Sequence, residues 1–206
     1  FVTTVYLPAM RDPYSAAKSI GTAAFLAGGR LELGIGVGWC EEEFTLMGQQ
    51  FARRGKRTDE MLELMKELWK PGWTEFDGEF YTTPRLEMEP TPPAIPVYVG
   101  GLSDIALRRA ARHDGWIGDL IDTDKALERI GKLRELRAEK GLSMTCFEVI
   151  TPLTDAFTPE HFERAEAGGI TGIVTMPWMF YAGPQATLAE KIDGMKRFRK
   201  DLALDQ

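Results

Sequence analysis

The sequence predicts an α/β fold, a (β/α)8 TIM barrel with the first one or two βα units missing from this chain. Three observations predict it. Six apolar, β-branched segments alternate with helical periodicity along 206 residues, and repeated βα units imply a parallel sheet with helices outside it. A barrel usually takes about 250 residues, so at roughly 30 residues per βαβ unit two further N-terminal units complete one. The chain opens on Phe1, already inside an expected strand and without an initiator Met, as a piece of a longer chain does. The expectation is a single partial barrel domain over 1–206, with a doubly wound sheet as the alternative architecture.

The elements follow in order. Phe1 to Leu7 reads as a buried strand. Asp12-Pro13 is an N-cap and first-turn pair, and Ala16, Ile20, Ala23 and Ala27 recur at helical spacing until Gly28-Gly29 stops them. Leu31 to Val37 is a second strand. A short helix spans Glu41 to Gly48, and a longer one runs from Gly55 to Trp69 with Met61, Leu64, Met65 and Leu68 on one face. Residues 71–94 break the rhythm, and Asp77-Gly78 between aromatic residues signals a β-hairpin inserted into the main fold. Strands at Pro96–Val99, Gly115–Gly118, Met144–Ile150 and Ile170–Met176 then alternate with helices at Ser103–His113, Asp124–Lys140, Thr158–Ala167 and Pro184–Leu202. The last carries Leu188, Ile192, Met195 and Leu202 on one apolar stripe.

Composition excludes several function classes. A net charge of −6 and a pI near 5.1 leave no basic stripe for a nucleic-acid partner and give no reason to expect an anionic membrane surface as partner. No apolar run is long enough to span a bilayer, and no signal peptide heads the sequence. Cys40 and Cys146 stand far apart in no metal-type spacing, which suits reduced thiols in the cytoplasm. His113 and His161 are the two histidines, both on expected helices, so no metal site is expected.

In a barrel the chemistry lies where strands end and βα loops begin. Gly36, Val37, Gly38 and Trp39 leave the second strand. Glycines there let backbone approach a flat ligand, or merely allow tight packing. Gly100, Gly101 and Ser103 leave the strand at Val99 and offer two backbone donors, a hydroxyl and a helix N-terminus to one anion. The bland reading is an ordinary capped turn. Arg108 and Arg109, a turn further on, read as solvated. Val5-Tyr6-Leu7-Pro8, at the end of the first strand, can border the same ligand, although its bare sequence says little. Trp178 and Tyr181 lie in an aromatic loop after the last strand, which either walls an apolar substrate pocket or packs on the barrel rim. Glu41, Glu42 and Glu43 suit the first turn of a helix on dipole grounds alone. Cys40 reads as a buried or inert thiol rather than a nucleophile.

The run Gly29-Arg30-Leu31-Glu32-Leu33-Gly34-Ile35-Gly36-Val37-Gly38-Trp39, followed by Glu42-Glu43-Phe44 and Gly48, resembles the luciferase-like monooxygenase superfamily. So do Phe51-Ala52-Arg53-Arg54-Gly55-Lys56-Arg57-Thr58-Asp59-Glu60 with Leu68-Trp69, Gly78-Glu79-Phe80-Tyr81, Pro96 to Gly101, Arg108 to Ala111, and Asp114-Gly115-Trp116. The resemblance covers residues 1 to about 120 well and the rest loosely, and its wording is nearest the F420-dependent, bacterial luciferase-like branch.

The resemblance implies a barrel with insertions and coenzyme F420, or else FMN, as cofactor. Its ring and phosphate tail would lie against Gly36, Val37, Gly38 and Trp39, with Gly100, Gly101 and Ser103 along the phosphate side and Glu42 within reach. The reaction would be hydride transfer between the (deaza)flavin and a small organic substrate, or oxygen activation with FMN and a partner flavin reductase. A homodimer is a common arrangement among such enzymes. The sequence departs from the family where some F420 enzymes carry a carboxylate acid and this chain has Trp39, so no catalytic acid or base is named. Two other readings stay open: a non-redox phosphate-ligand barrel of isomerase or lyase type, and an inactive fragment of such a barrel.

Overall fold

The computed structural model describes residues 1–202. The chain divides into two compact units, Phe1–Ile117 and the residues from Gly118 on. In the first, α1 (Pro13–Leu26), β1 (Leu33–Ile35), α2 (Glu41–Leu46), α3 (Arg54–Leu68), β2 (Thr74–Asp77), β3 (Thr82–Leu86), β4 (Val97–Gly100), α4 (Asp104–Ala110) and β5 (Gly115–Ile117) follow one another. β1, β4 and β5 are parallel neighbours, with Ile35 opposite Val99 and Val99 opposite Trp116. All residues of β1 and β5 are buried, as strands covered on both faces must be.

The first expected strand is corrected. Phe1 to Leu7 runs parallel to β1 but touches it through two isolated bridges, Val2 with Glu32 and Tyr6 with Ile35. Hydrogen bonds from Thr3 N to Glu32 O (3.2 Å) and from Tyr6 N to Gly34 O (2.8 Å) flank a gap in the ladder. The Thr4–Val5 peptide within that gap is cis. Periodicity cannot show such an interruption, because the residues on either side still alternate as a strand does.

Asp12 and Ser103 cap their helices as read in the sequence, whereas Thr158 makes no side-chain cap bond and the last helix opens at Leu188 rather than Pro184. Asp12 accepts from Ser15 N at 2.8 Å and Pro13 occupies the first turn of α1, satisfying a donor that the helix leaves open. In α3 the expected stripe of Met61, Leu64, Met65 and Leu68 is buried with at most 1% exposure, each contributing about 1.5–3 kcal/mol of hydrophobic stabilisation. The inserted segment is an antiparallel hairpin of β2 and β3, closed by Gly78 N to Tyr81 O at 2.9 Å.

The second unit holds α5 (Thr123–Ala138), β6 (Glu148–Thr151), α6 (Pro159–Gly168), β7 (Gly172–Ile173) and α7 (Leu188–Asp201), with β6 and β7 parallel. Its core includes Ala126, Ile130, Leu133, Val149 and Ala165. α7 opens on a capping box between Thr187 and Glu190. The apolar stripe read on α7 is not its buried face: Leu188 is 74%, Ile192 41% and Met195 44% exposed, and Gly194 is buried instead. Gly194 packs against Trp178, where a methyl would come within 2.7 Å of the Trp178 Cα.

Candidate functional site

The C-terminal ends of the parallel segments in the first unit converge on one side chain. An added methyl at Gly36 would stand 2.8 Å from Val5 Cγ2, and one at Gly100 would stand 3.1 Å from Val5 Cγ1 and 3.2 Å from the Ile35 carbonyl oxygen. Both positions are glycine so that Val5 can lie against the ends of β1 and β4. Val5 itself remains 38% exposed, so it forms the outer surface of a small apolar shelf. Packing accounts for these glycines, and the same packing brings backbone close to the surface at two adjacent strand ends.

Beyond Gly36 the chain passes Val37 to Gly38, which adopts φ +77° above the Phe44 ring. Trp39 then projects outward and is 87% exposed. Cys40, half-buried, donates its thiol proton to Glu42 Oε2 at 3.3 Å. The Glu42 carboxyl is fully exposed and is held below the usual carboxylate range by its own backbone N–H and then by the Cys40 thiol.

The turn after β4 differs from its sequence reading. Gly101 N donates to Ile117 O at 3.2 Å, and Gly101 O accepts from Trp116 Nε1 at 2.8 Å. Both of its backbone polar groups are therefore spent within the fold, and the expected anion donor at Gly101 is lost. Ser103 caps α4 by accepting from Ala106 N at 3.2 Å, which leaves its hydroxyl proton to donate outward. Ser103 and Arg108 are exposed, but Arg109 is 5% exposed. The solvated reading of Arg109 is thus corrected.

Sequence reasoning quoted the motif Arg54-Gly55-Lys56-Arg57-Thr58-Asp59-Glu60 without assigning roles within it. The structure makes it a clamp. Arg54 Nε donates to Gly38 O at 2.8 Å. Arg57 donates to Ala9 O at 3.1 Å and Gln50 O at 2.5 Å. Asp59 receives Arg109, and Glu60 accepts the backbone N–H groups of Glu79, Phe80 and Tyr81 at 2.7–3.0 Å. α3 thereby fixes the turn after β1, the 3-10 turn Pro8–Met10, α4 and the hairpin tip. Arg54, Arg57 and Glu60 at i, i+3 spacing, with Asp59 on another side of the helix, were the available signal.

Trp178 and Tyr181 belong to the second unit, on and beside the 3-10 turn Pro177–Phe180. Lys191 lies over the Trp178 ring at 5.5 Å. Tyr181 donates its hydroxyl to Asp201 Oδ2 at 2.7 Å and carries Arg197 over its ring at 4.4 Å. Loss of hydration, then the Asp201 carboxylate, raises the Tyr181 hydroxyl above the ordinary tyrosine value. Both aromatic residues are thus engaged by α7 of their own unit. Among the described residues no cluster of three or more His, Cys, Asp or Glu side chains is placed to hold a metal, and no helix is long and apolar enough to cross a membrane. The thiols of Cys40 and Cys146 are free.

The donor set fits the ring of a flavin or deazaflavin better than its phosphates. The shelf of Val5, Gly36 and Gly100 carries no charged group, and an exposed indole stands three residues beyond it. At the turn after β4 the Ser103 hydroxyl remains beside a Gly101 whose N–H and carbonyl are both engaged.

Parallel strands joined through helices, with glycine turns at the C-terminal strand ends, define an α/β domain consistent with the barrel type. The chain belongs to the luciferase-like monooxygenase family, whose model matches residues 1–167. An uncharacterised protein of Mycobacterium tuberculosis is 38% identical over 198 residues, spanning 94% of this chain and 68% of the relative. Solved structures share the fold. A monooxygenase from Streptomyces bottropensis superposes with a TM-score of 0.76 at 17% identity, over 99% of this chain and 77% of that one. An F420-dependent secondary alcohol dehydrogenase bound to an F420-acetone adduct gives 0.66 at 20% identity, over 97% and 64%. The FMN-bound oxygenating constituent of 3,6-diketocamphane monooxygenase from Pseudomonas putida gives 0.62 at 18% identity, over 98% and 60%. The family is one of oxidoreductases and supports an enzyme, and F420- and FMN-linked proteins both occur among the structural neighbours.

Proposed function

We propose that the chain carries the cofactor face of an F420-dependent oxidoreductase of cytoplasmic location, with FMN as the alternative cofactor. The observation that carries this reading is the shelf on which Gly36 and Gly100 admit Val5 at adjacent strand ends, with Trp39 exposed beyond it. A planar, largely apolar ring needs close backbone approach and a surface free of charge. F420 supplies a hydride donor or acceptor when bound, and FMN supplies the same together with oxygen activation. The protein orients the ring on Val5, Gly36 and Gly100. Val37, Gly38 and Trp39 border it, Glu42 reaches its polar edge, and Ser103 donates to a tail phosphate. Trp178 and Tyr181 are the proposed contacts of a small organic substrate, on the strength of their aromatic loop after β7. A homodimer, and with FMN a flavin reductase, are the proposed protein partners.

F420 stands first because the residue blocks from Gly29 to Trp116 are nearest that branch in wording. The alternative of a phosphate-ligand isomerase or lyase is weakened by the Gly38-Trp39 turn joined to the helix that carries Arg54, Arg57, Asp59 and Glu60. Fluorescence titration of the full-length protein with F420 and separately with FMN tests the proposal. Tight binding of F420 alone supports hydride chemistry, and tight binding of FMN alone moves the assignment to a flavin monooxygenase. Binding of neither overturns the redox reading.

A further inference from the structure

Four residues of the first unit close a ring of contacts around the turn after β1. Gly38 rests on Phe44, where an added methyl would meet ring carbons at 2.7 and 3.0 Å. Phe44, fully buried, meets Phe51 edge to face with centroids 5.4 Å apart. The Arg54 guanidinium lies over Phe51 at 3.7 Å. Arg54 Nε returns to Gly38 O at 2.8 Å. The turn is thereby fixed on both sides, and the residue that follows it is the exposed Trp39. A rigid stem bearing a solvent-facing indole suits a ring-binding side chain, since the backbone need not then be ordered on binding.

We propose that Arg54 is a positioning residue for the cofactor, holding the Gly38 carbonyl so that the Trp39 backbone is presented from one fixed position beside the ring. The inference rests on the cofactor reading above. Arg54 touches neither ring nor substrate and acts through Trp39. A planar guanidinium stacks on Phe51 and donates from Nε to Gly38 at the same time, whereas a lysine ammonium cannot do both at once.

The test is a double-mutant cycle on the full-length protein, titrated with F420 and with FMN, alongside thermal unfolding of each variant. R54Q and R54K are each expected to weaken binding of the preferred cofactor about tenfold. W39A should weaken it similarly, and R54Q should add less than twofold in the W39A background, because Trp39 is the path of the effect. R54K keeps the charge and therefore shows that geometry matters even if R54Q folds poorly. Full additivity of R54Q and W39A, or wild-type affinity in R54K, overturns the proposal while the cofactor reading stands. If the wild-type protein binds neither cofactor, the cofactor reading falls and takes the positioning role with it.

Discussion

Arg109 and Asp59 form a two-pronged ion pair, Nε to Oδ1 at 2.6 Å and Nη2 to Oδ2 at 3.2 Å, which ties α4 to α3. Gly55 makes room for it, since a methyl there would lie 2.9 Å from Arg109 Nη2. Arg109 is 5% exposed, and Arg112 adds a second cation at 3.3 Å from Asp59. Removing one partner of a buried pair leaves the other charge uncompensated.

Asp59→Asn should therefore destabilise the protein by about 3 kcal/mol, the low end for a buried pair because the Asp59 side chain keeps 26% exposure. Asp59→Asn combined with Arg109→Met should be less damaging than Asp59→Asn alone. Urea unfolding of the two variants measures this. A single-variant loss below about 0.5 kcal/mol, typical of surface sites, would remove the pair from the account of the fold.

The hairpin tip depends on one carboxylate. Glu60 Oε1 accepts from Phe80 N at 2.7 Å and Tyr81 N at 2.8 Å, and Oε2 accepts from Glu79 N at 3.0 Å. Arg53 adds a pair to Glu79 and lies over Phe80 at 4.8 Å. Glu60→Ala leaves these N–H groups to water, so amide exchange at Glu79, Phe80 and Tyr81 should accelerate by ten-fold or more, equivalent to about 1.5–3 kcal/mol of lost charge-assisted bonding. Exchange in β1 and β4 should stay unchanged. Unaltered exchange at the tip would show that β2 and β3 hold it unaided.

Gly38 and Gly48 separate two costs of a side chain. Both have positive φ, +77° and +66°, but a methyl at Gly38 strikes Phe44 whereas nothing lies within 4 Å of one at Gly48. Gly48→Ala should cost about 1 kcal/mol for the backbone region alone. Gly38→Ala should cost about 2–4 kcal/mol, because overpacking against a buried ring is added. Equal losses in denaturant melts would mean that Phe44 yields freely, and the closed ring around the turn would lose its rigidity argument.

The alternation of βα units, the hairpin insertion and the caps Asp12 and Ser103 were legible because each has a local cause: period, Asp-Gly between aromatics, Asp or Ser before a helix. The strand-end glycines were legible as positions, but their reason was not. That reason is Val5, about thirty residues away from Gly36 and about ninety-five from Gly100. The role of Arg109 was hidden for the same cause, since its partner Asp59 lies fifty residues earlier. The stripe on α7 was read with the right period and the wrong face, because Gly194 seats Trp178 more closely than any larger residue could.

His113 carries the last prediction. It sits half-buried with Lys66 Nζ 3.4 Å from its Nδ1. Desolvation first, then Lys66 and Arg112, depress its pKa from 6.5 to about 4, against smaller opposing contributions from Asp114 and Asp59. The unfolded chain therefore takes up a proton near pH 6.5 that the folded chain refuses until about pH 4. Stability from this group is full above pH 6.5 and is lost as pH falls toward 4, amounting to about 3 kcal/mol at most. His113→Gln abolishes that titration. Urea midpoints measured from pH 4 to 7.5 should fall more steeply with acid in the wild type than in His113→Gln, the difference between the two curves changing below about pH 6.5. Parallel curves across the window would mean that His113 titrates in the folded protein as it does in the unfolded chain, and that Lys66 and burial do not hold it neutral.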